Sequence, residues 1–187
     1  WEVRRAMLEK NMKELGTEPE KLQEFFKENG LVKADFMKSA NDELMPQSDG
    51  GAMSLYEIGG YYDNYSKKYL VSGHWKWNSI ASVDMFSGAV DGVSLVLYKT
   101  DFTVCDSIFS SNPAGISVYD NKGTLYTDTG STSDIDRSGI VWNFQDRWAS
   151  IYDYVGYQGG VWFWLDKAPT TSPIYIKMDF QHTWSSA

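Results

Sequence analysis

The sequence predicts a mainly β protein: an antiparallel β-sandwich of about eight strands, jelly-roll or Ig-like, preceded by two or three short N-terminal α-helices. Three observations carry that expectation. Aromatic residues make up 16% of the chain, and every Tyr and all but one Trp lie from Tyr56 onward. After Glu57 every acidic residue is Asp, which suits turns and caps, whereas Glu suits helices. Short apolar runs then recur between clusters of Gly, Asn, Asp and Ser, as in a chain of strands and turns.

The helical segment comes first and spans residues 1–45. "WEVRRAMLEKNMKELG" sets Val3, Met7, Leu8, Met12 and Leu15 on one stripe at helical spacing, with Gly16 as its stop. "TEPEKLQEFFKENG" opens on Thr17 with Glu20 three residues later, the capping-box pattern, and presents Leu22, Phe25 and Phe26. A third helical piece is expected in "VKADFMKSA". Two helices joined by a glycine invite a DNA-binding reading, but this segment holds more acidic than basic residues. With a net charge of −8 over the whole chain, no nucleic-acid partner is expected, because phosphate binding needs a basic face.

"NDELMPQSDGGAMS" gathers Pro, Gly, Ser and Asp and reads as a loop leading to a β domain at 56–187. Strands are expected near 68–77, 93–104, 115–119, 124–127, 139–144, 149–155, 160–166 and 173–183, with a hairpin turn at 121–123. Alternation assigns their faces. In "KYLVSGHWKWN", Tyr69, Val71, Trp75 and Trp77 point to the core, while Ser72, His74 and Lys76 point to water. In "PIYIKMDFQHTW", Ile174, Ile176, Met178 and Phe180 turn inward and His182 continues their register. "VSLVLYK" is apolar on both sets, as for a strand covered on both sides by core and helices. The single cysteine, Cys105, excludes an intramolecular disulfide and reads as a buried structural thiol.

Two segments hold candidate functional residues. In "GGVWFWLDK" both alternating sets are apolar. If the strand bearing Tyr152 and Tyr154 pairs with it across "GYQGG", then Trp162, Trp164, Tyr152 and Tyr154 form a row on an outer face. Such a row is what stacking against sugar rings requires. The competing arrangement covers that face with the N-terminal helical segment, whose Phe25, Phe26 and Phe36 need an apolar partner surface.

The second segment is "TDTGSTSDIDRSGIVWNFQD". Asp134, Asp136 and Ser138, followed by Gly139, match the D-x-D-x-S-G opening of a calcium loop. The twelfth position is Gln145 rather than a bidentate Glu, so a Ca2+ site here needs Asp128 or Asp146 to complete it. The competing reading is an Asp- and Ser-rich turn that needs no ion.

The chain carries no G-x-S-x-G, H-E-x-x-H, P-loop or Rossmann glycine pattern. It has no apolar run long enough to span a bilayer. No signal peptide is visible, and a chain that starts at Trp1 reads as a processed or trimmed fragment. The expected function is a non-catalytic extracytoplasmic binding module for carbohydrate or a cell-surface component, secreted or held at the cell surface. Two alternatives stand beside it. One is a sandwich-fold hydrolase using paired Asp residues. The other is a membrane-active or partner-binding secreted protein whose helices detach.

Overall fold

Alternating side chains resolve into strands in a computed structural model, which describes residues 1–41, 52–80, 90–105, 113–127, 129–135, 138–169 and 173–182. Two helices, α1 (Glu2–Leu15) and α2 (Pro19–Glu28), precede the strands. The strands are β1 (Leu31–Lys33), β2 (Met37–Ser39), β3 (Met53–Asp63), β4 (Tyr69–Trp77), β5 (Val90–Tyr98), β6 (Ala114–Tyr119), β7 (Leu125–Tyr126), β8 (Gly130–Ile135), β9 (Gly139–Gln145), β10 (Arg147–Ser150), β11 (Asp153–Val155), β12 (Gln158–Leu165) and β13 (Ile174–Gln181). They build a six-stranded sheet in the order β1-β3-β4-β12-β6-β7, a five-stranded sheet in the order β2-β13-β5-β9-β8, and the hairpin β10-β11. Neighbours run antiparallel except β2 and β13, which are parallel.

Alternation places the inward residues of the long strands as expected. Trp75 and Trp77 of β4 are 0% and 4% exposed, and join Val161 and Phe163 of β12 in one apolar cluster with Trp142, Phe144, Met178 and Phe180 of the other sheet. The Trp75 indole stacks on Phe144 at 5.1 Å and donates its Nε1 hydrogen to Gly156 O at 3.0 Å. It can lie there because β12 offers Gly159, where a Cβ would stand 2.2 Å from the indole ring. Cys105 is fully buried in the same cluster.

The other face of the six-stranded sheet is covered by the helices. Leu8 and Met12 of α1 and Leu22 and Phe26 of α2 pack with Tyr61, Leu70, Trp162 and Trp164. An α-helix leaves its last four carbonyls without intrahelical partners. Here the Tyr119 hydroxyl donates to Lys13 O at 2.6 Å, and the Tyr56 hydroxyl donates to Thr17 O at 2.9 Å just beyond the helix. Trp164 Nε1 adds a hydrogen bond to Glu9 Oε1 at 3.1 Å. Every residue of β12 is therefore buried, by the core on one side and the helices on the other.

Several local expectations change. Thr17 does not cap α2: Glu18 stands at the cap position, Pro19 opens the helix, and the Thr17 hydroxyl donates to Gln158 Oε1 at 2.6 Å. Val3 and Met7 are exposed, so the buried stripe of α1 narrows to Leu8 and Met12. "VKADFMKSA" is not helical. It supplies the end of β1 and all of β2, and pairing decides the matter: β1 joins β3 and β2 joins β13, so the segment crosses from one sheet edge to the other. Its Met37 passes over Gly60, where a Cβ would meet Met37 Sδ at 2.1 Å.

His74 does not face water. It lies on the face that alternation assigns, but the helices cover that face and leave it 6% exposed. The helices lie over the six-stranded sheet, and β5 keeps Ser94, Val96 and Tyr98 only half-buried on its outer side. The strand expected at 149–155 is instead the β10-β11 hairpin, with Ile151 and Tyr152 exposed at its tip.

Candidate functional site

The four aromatics expected to form a row are separated by strand pairing. β12 pairs with β4 and β6, while β11 pairs with β10. Trp162 and Trp164 therefore lie beneath the helices at 3% and 1% exposure. Tyr154 enters the core between the sheets, and Tyr152 stands exposed at the hairpin tip. No common surface joins them.

The calcium-loop segment begins as the arm of a hairpin. β8 and β9 pair through Asp134↔Val141 and Ile135↔Ile140, and Asp134 is exposed on its strand. Ser138 is half-buried, and Asp136 and Asp128 lie outside the described residues.

Two hollows lie elsewhere, where the chain crosses between the sheets. Two adjoining depressions of about 500 and 490 Å³ share Gln23, Lys33, Glu57 and Tyr61. The first continues to Asp35, Lys38 and Ser39, and the second to Phe26, Lys27 and Val32. Glu57 owes its place to an irregularity in β3. The register with β4 shifts between Tyr56↔His74 and Gly59↔Ser72, so Glu57 and Ile58 stand against one residue of β4. Glu57 takes φ +47 at this bulge, a left-handed conformation that costs a non-glycine residue about 1–2 kcal/mol.

Bulges of this kind re-aim side chains. Before it, Met53 and Leu55 face the core between the sheets; after it, Tyr61 faces the helices. The Glu57 carboxylate accepts a hydrogen bond from Gln23 Nε2 at 2.8 Å across the groove. Burial, and then the charge of Glu57, push the Tyr61 hydroxyl up to about 12, so it stays a neutral donor. The groove thus offers ammonium groups, carboxylates, an amide and a phenol around a partly apolar floor.

A second constellation closes one end of the five-stranded sheet. On β9 the inward set Ile140, Trp142 and Phe144 runs on to Asp146; on β5, Asp91 precedes Val93 and Leu95; on β13, Phe180 is followed by His182. Because β13, β5 and β9 are neighbours, these three polar ends meet. His182 Nδ1 lies 3.0 Å from both oxygens of Asp91 and 3.7 Å from Asp146 Oδ2. The Tyr154 hydroxyl donates to Asp146 Oδ2, and the Trp77 ring stands edge-to-face with His182 at 5.3 Å. Both carboxylates are 1% exposed and the imidazole 6%. Among the described residues this is the one place where three His, Cys, Asp or Glu donors come within reach of a single ion. The sequence carried a signal for it: a polar residue at the inward position ending each of three apolar alternations.

Comparison with known proteins adds no identity to this geometry: no family model, curated protein or solved structure matches the chain.

Proposed function

We propose that the protein is a non-catalytic binding module, secreted or displayed at a cell surface, built on a two-sheet β-sandwich and taking a carbohydrate-class ligand in the Glu57 groove. The observation that carries this reading is the strained Glu57 backbone at the point where the two hollows meet. Strain held at a cleft is a feature of functional sites. Hollows of this size suit a ligand of one or two sugar rings, and the mixture of ammonium, carboxylate, amide and phenol supplies both donors and acceptors for hydroxyl groups.

Against the hydrolase alternative, the first hollow is lined by one Asp, Asp35, and one Glu, Glu57, the latter tied to Gln23. A pair of Asp residues is not assembled there. Against a membrane-active form stand the hydrogen bonds that join α1 and its C-terminal turn to Tyr119, Tyr56 and Gln158. Liposome co-sedimentation of the intact chain is expected to show no association.

The groove is tested by a glycan panel read with the intact chain and with Lys33→Ala and Glu57→Gln. Binding that falls at least tenfold in both variants, with thermal midpoints unchanged, supports it. No glycan bound by the intact chain, or binding indifferent to both substitutions, removes it.

A second reading concerns Asp91, Asp146 and His182, which we propose as ligands of a divalent cation of zinc type. Donors about 2.1 Å from a tetrahedral ion lie about 3.4 Å apart. The distances of 3.0 and 3.7 Å from His182 Nδ1 bracket that edge. An imidazole nitrogen favours such an ion over calcium, which takes oxygen donors.

A further inference from the structure

A short loop, 100–102, follows β5. Lys99 N donates to Thr103 O at 2.8 Å and Phe102 N to Lys99 O at 3.0 Å, and Tyr98 bridges Val104 beyond them. Hairpin loops of this length put their last residue in the left-handed conformation, where glycine is the fitting choice. Here that residue is Phe102, at φ +64. A bulky side chain in that region is an outlier. The loop has its own fastening without the ring: Asp101 Oδ1 accepts from the Thr103 backbone N–H at 3.1 Å and from the Thr103 hydroxyl at 2.6 Å. Nor is Phe102 placed there to be buried. Its ring is 46% exposed and lies within 17° of parallel to the Tyr175 ring, with centroids 6.2 Å apart. Tyr175 is half-buried on β13, between Tyr98 of β5 and Lys38 of β2. Lys38 in turn lines the Glu57 groove. Neighbouring strands stand about 4.8 Å apart, so the aromatic pair begins one strand in from the groove.

We propose that Phe102, backed by Tyr175, is an aromatic subsite that extends the Glu57 groove and takes the further units of a neutral, β-linked oligosaccharide. This rests on the reading of that groove as a glycan site. A pyranose whose hydroxyls are equatorial has flat C–H faces, and such a face packs on the open side of an aromatic ring. Its hydroxyls then stand at the rim, within the reach of polar groups such as the Lys38 ammonium, which donates to them. Strained backbone recurs at ligand clamps, where the strain holds a side chain ready. Phe102 does at the aromatic end what Glu57 does in the groove: each is a non-glycine residue held in a glycine conformation. The hollows suit one or two sugar rings, so the subsite is reached only by a longer chain.

The test is a length series: titration of the intact chain with cellulose- and chitin-derived oligomers, from disaccharide to hexasaccharide. The hexasaccharide of one series is expected to bind about fivefold tighter than its disaccharide, the gain of one stacked ring. Phe102→Gly and Phe102→Asn should bring the hexasaccharide down to the disaccharide's affinity, and Phe102→Trp should keep the gain. Because both replacements tolerate the left-handed backbone, their thermal midpoints should be no lower than the parent's. Lys33→Ala, in the groove, should weaken every length alike. A hexasaccharide bound no tighter than the disaccharide overturns the subsite and leaves the groove standing. So does a gain with length that survives Phe102→Gly and Phe102→Asn while their midpoints fall, which would make the ring a packing element. A chain that binds no oligomer of either series overturns the subsite, and one that binds no glycan of the wider panel removes the groove with it.

Discussion

Arg4 and Asp63 join the first helix to the edge of the six-stranded sheet through two parallel hydrogen bonds, Nε to Oδ2 at 2.8 Å and Nη2 to Oδ1 at 2.7 Å. The Asp63 side chain is fully buried, and Arg4 also donates to Asn29 O at 2.6 Å. Burial pushes the Asp63 carboxyl up, but the hydrogen bonds from Arg4, Ser66 and the Tyr65 backbone outweigh it and hold the group below the usual carboxylate range.

Removing Arg4 leaves a buried carboxylate without its cation. Arg4→Ala is therefore expected to cost about 3 kcal/mol in denaturant unfolding. The Asp63 contribution is fully present above the ordinary Asp range near pH 4 and is lost as pH falls through its lowered value. Arg4→Ala should flatten that part of the acid limb. An Arg4→Ala protein as stable as the parent would show the pair to be ornamental.

His74 sets a second pH dependence of the same sign. Burial pushes its imidazole down to about 4, with hydrogen bonding to the Glu57 and Tyr56 backbone opposing this only in part. The unfolded chain binds a proton near pH 6.5 and the folded chain does not until about pH 4. Stability is thus full above pH 6.5 and declines as pH falls toward 4, by on the order of 3 kcal/mol. Unfolding curves across that window measure the slope, and His74→Gln should remove most of it.

Glu57 separates stability from binding. Glycine tolerates the left-handed backbone that Glu57 is forced to adopt, so Glu57→Gly is expected to gain about 1 kcal/mol while losing ligand affinity. Chemical denaturation and a binding titration on the same preparation check both signs. A destabilised Glu57→Gly protein would mean that the Gln23 contact outweighs the backbone strain.

The Asp91, Asp146 and His182 cluster predicts a metal-dependent thermal midpoint. Zinc at a hundredfold excess over its dissociation constant should stabilise by about 2.7 kcal/mol, roughly 5–10 °C for a chain of this size. His182→Ala should abolish the response and Asp134→Ala should leave it intact. A midpoint indifferent to zinc and to chelators would dispose of the cation.

Inward faces were legible wherever period-two alternation ran unbroken, as through Trp75 and Trp77 or Ile174 to Phe180. β3 was hidden because its bulge at Glu57 and Ile58 exchanges the two faces midway, so Leu55 and Tyr61 serve different cores. β1 and β2 are three residues each, and long-range pairing with β3 and β13 alone makes them strands. Alternation also put Ser72 and His74 on the face opposite Trp75 and Trp77, where they lie, but that face is covered and not open to water; what covers a face is tertiary information that local pattern lacks. The same gap explains the dispersed aromatics, because nothing local says that β12 takes β4 and β6 as neighbours instead of β11.

Native-state amide hydrogen exchange tests most directly that the helices are an integral layer over Trp162 and Trp164. If they are, the amides from Leu8 to Leu15 should open with the same free energy as those of β4 and β12, because Leu8 and Met12 share a buried cluster with Leu70 and Trp164. Exchange of those helical amides orders of magnitude faster, with β4 and β12 still protected, would make the helices a detachable appendage and return the tryptophan face to solvent.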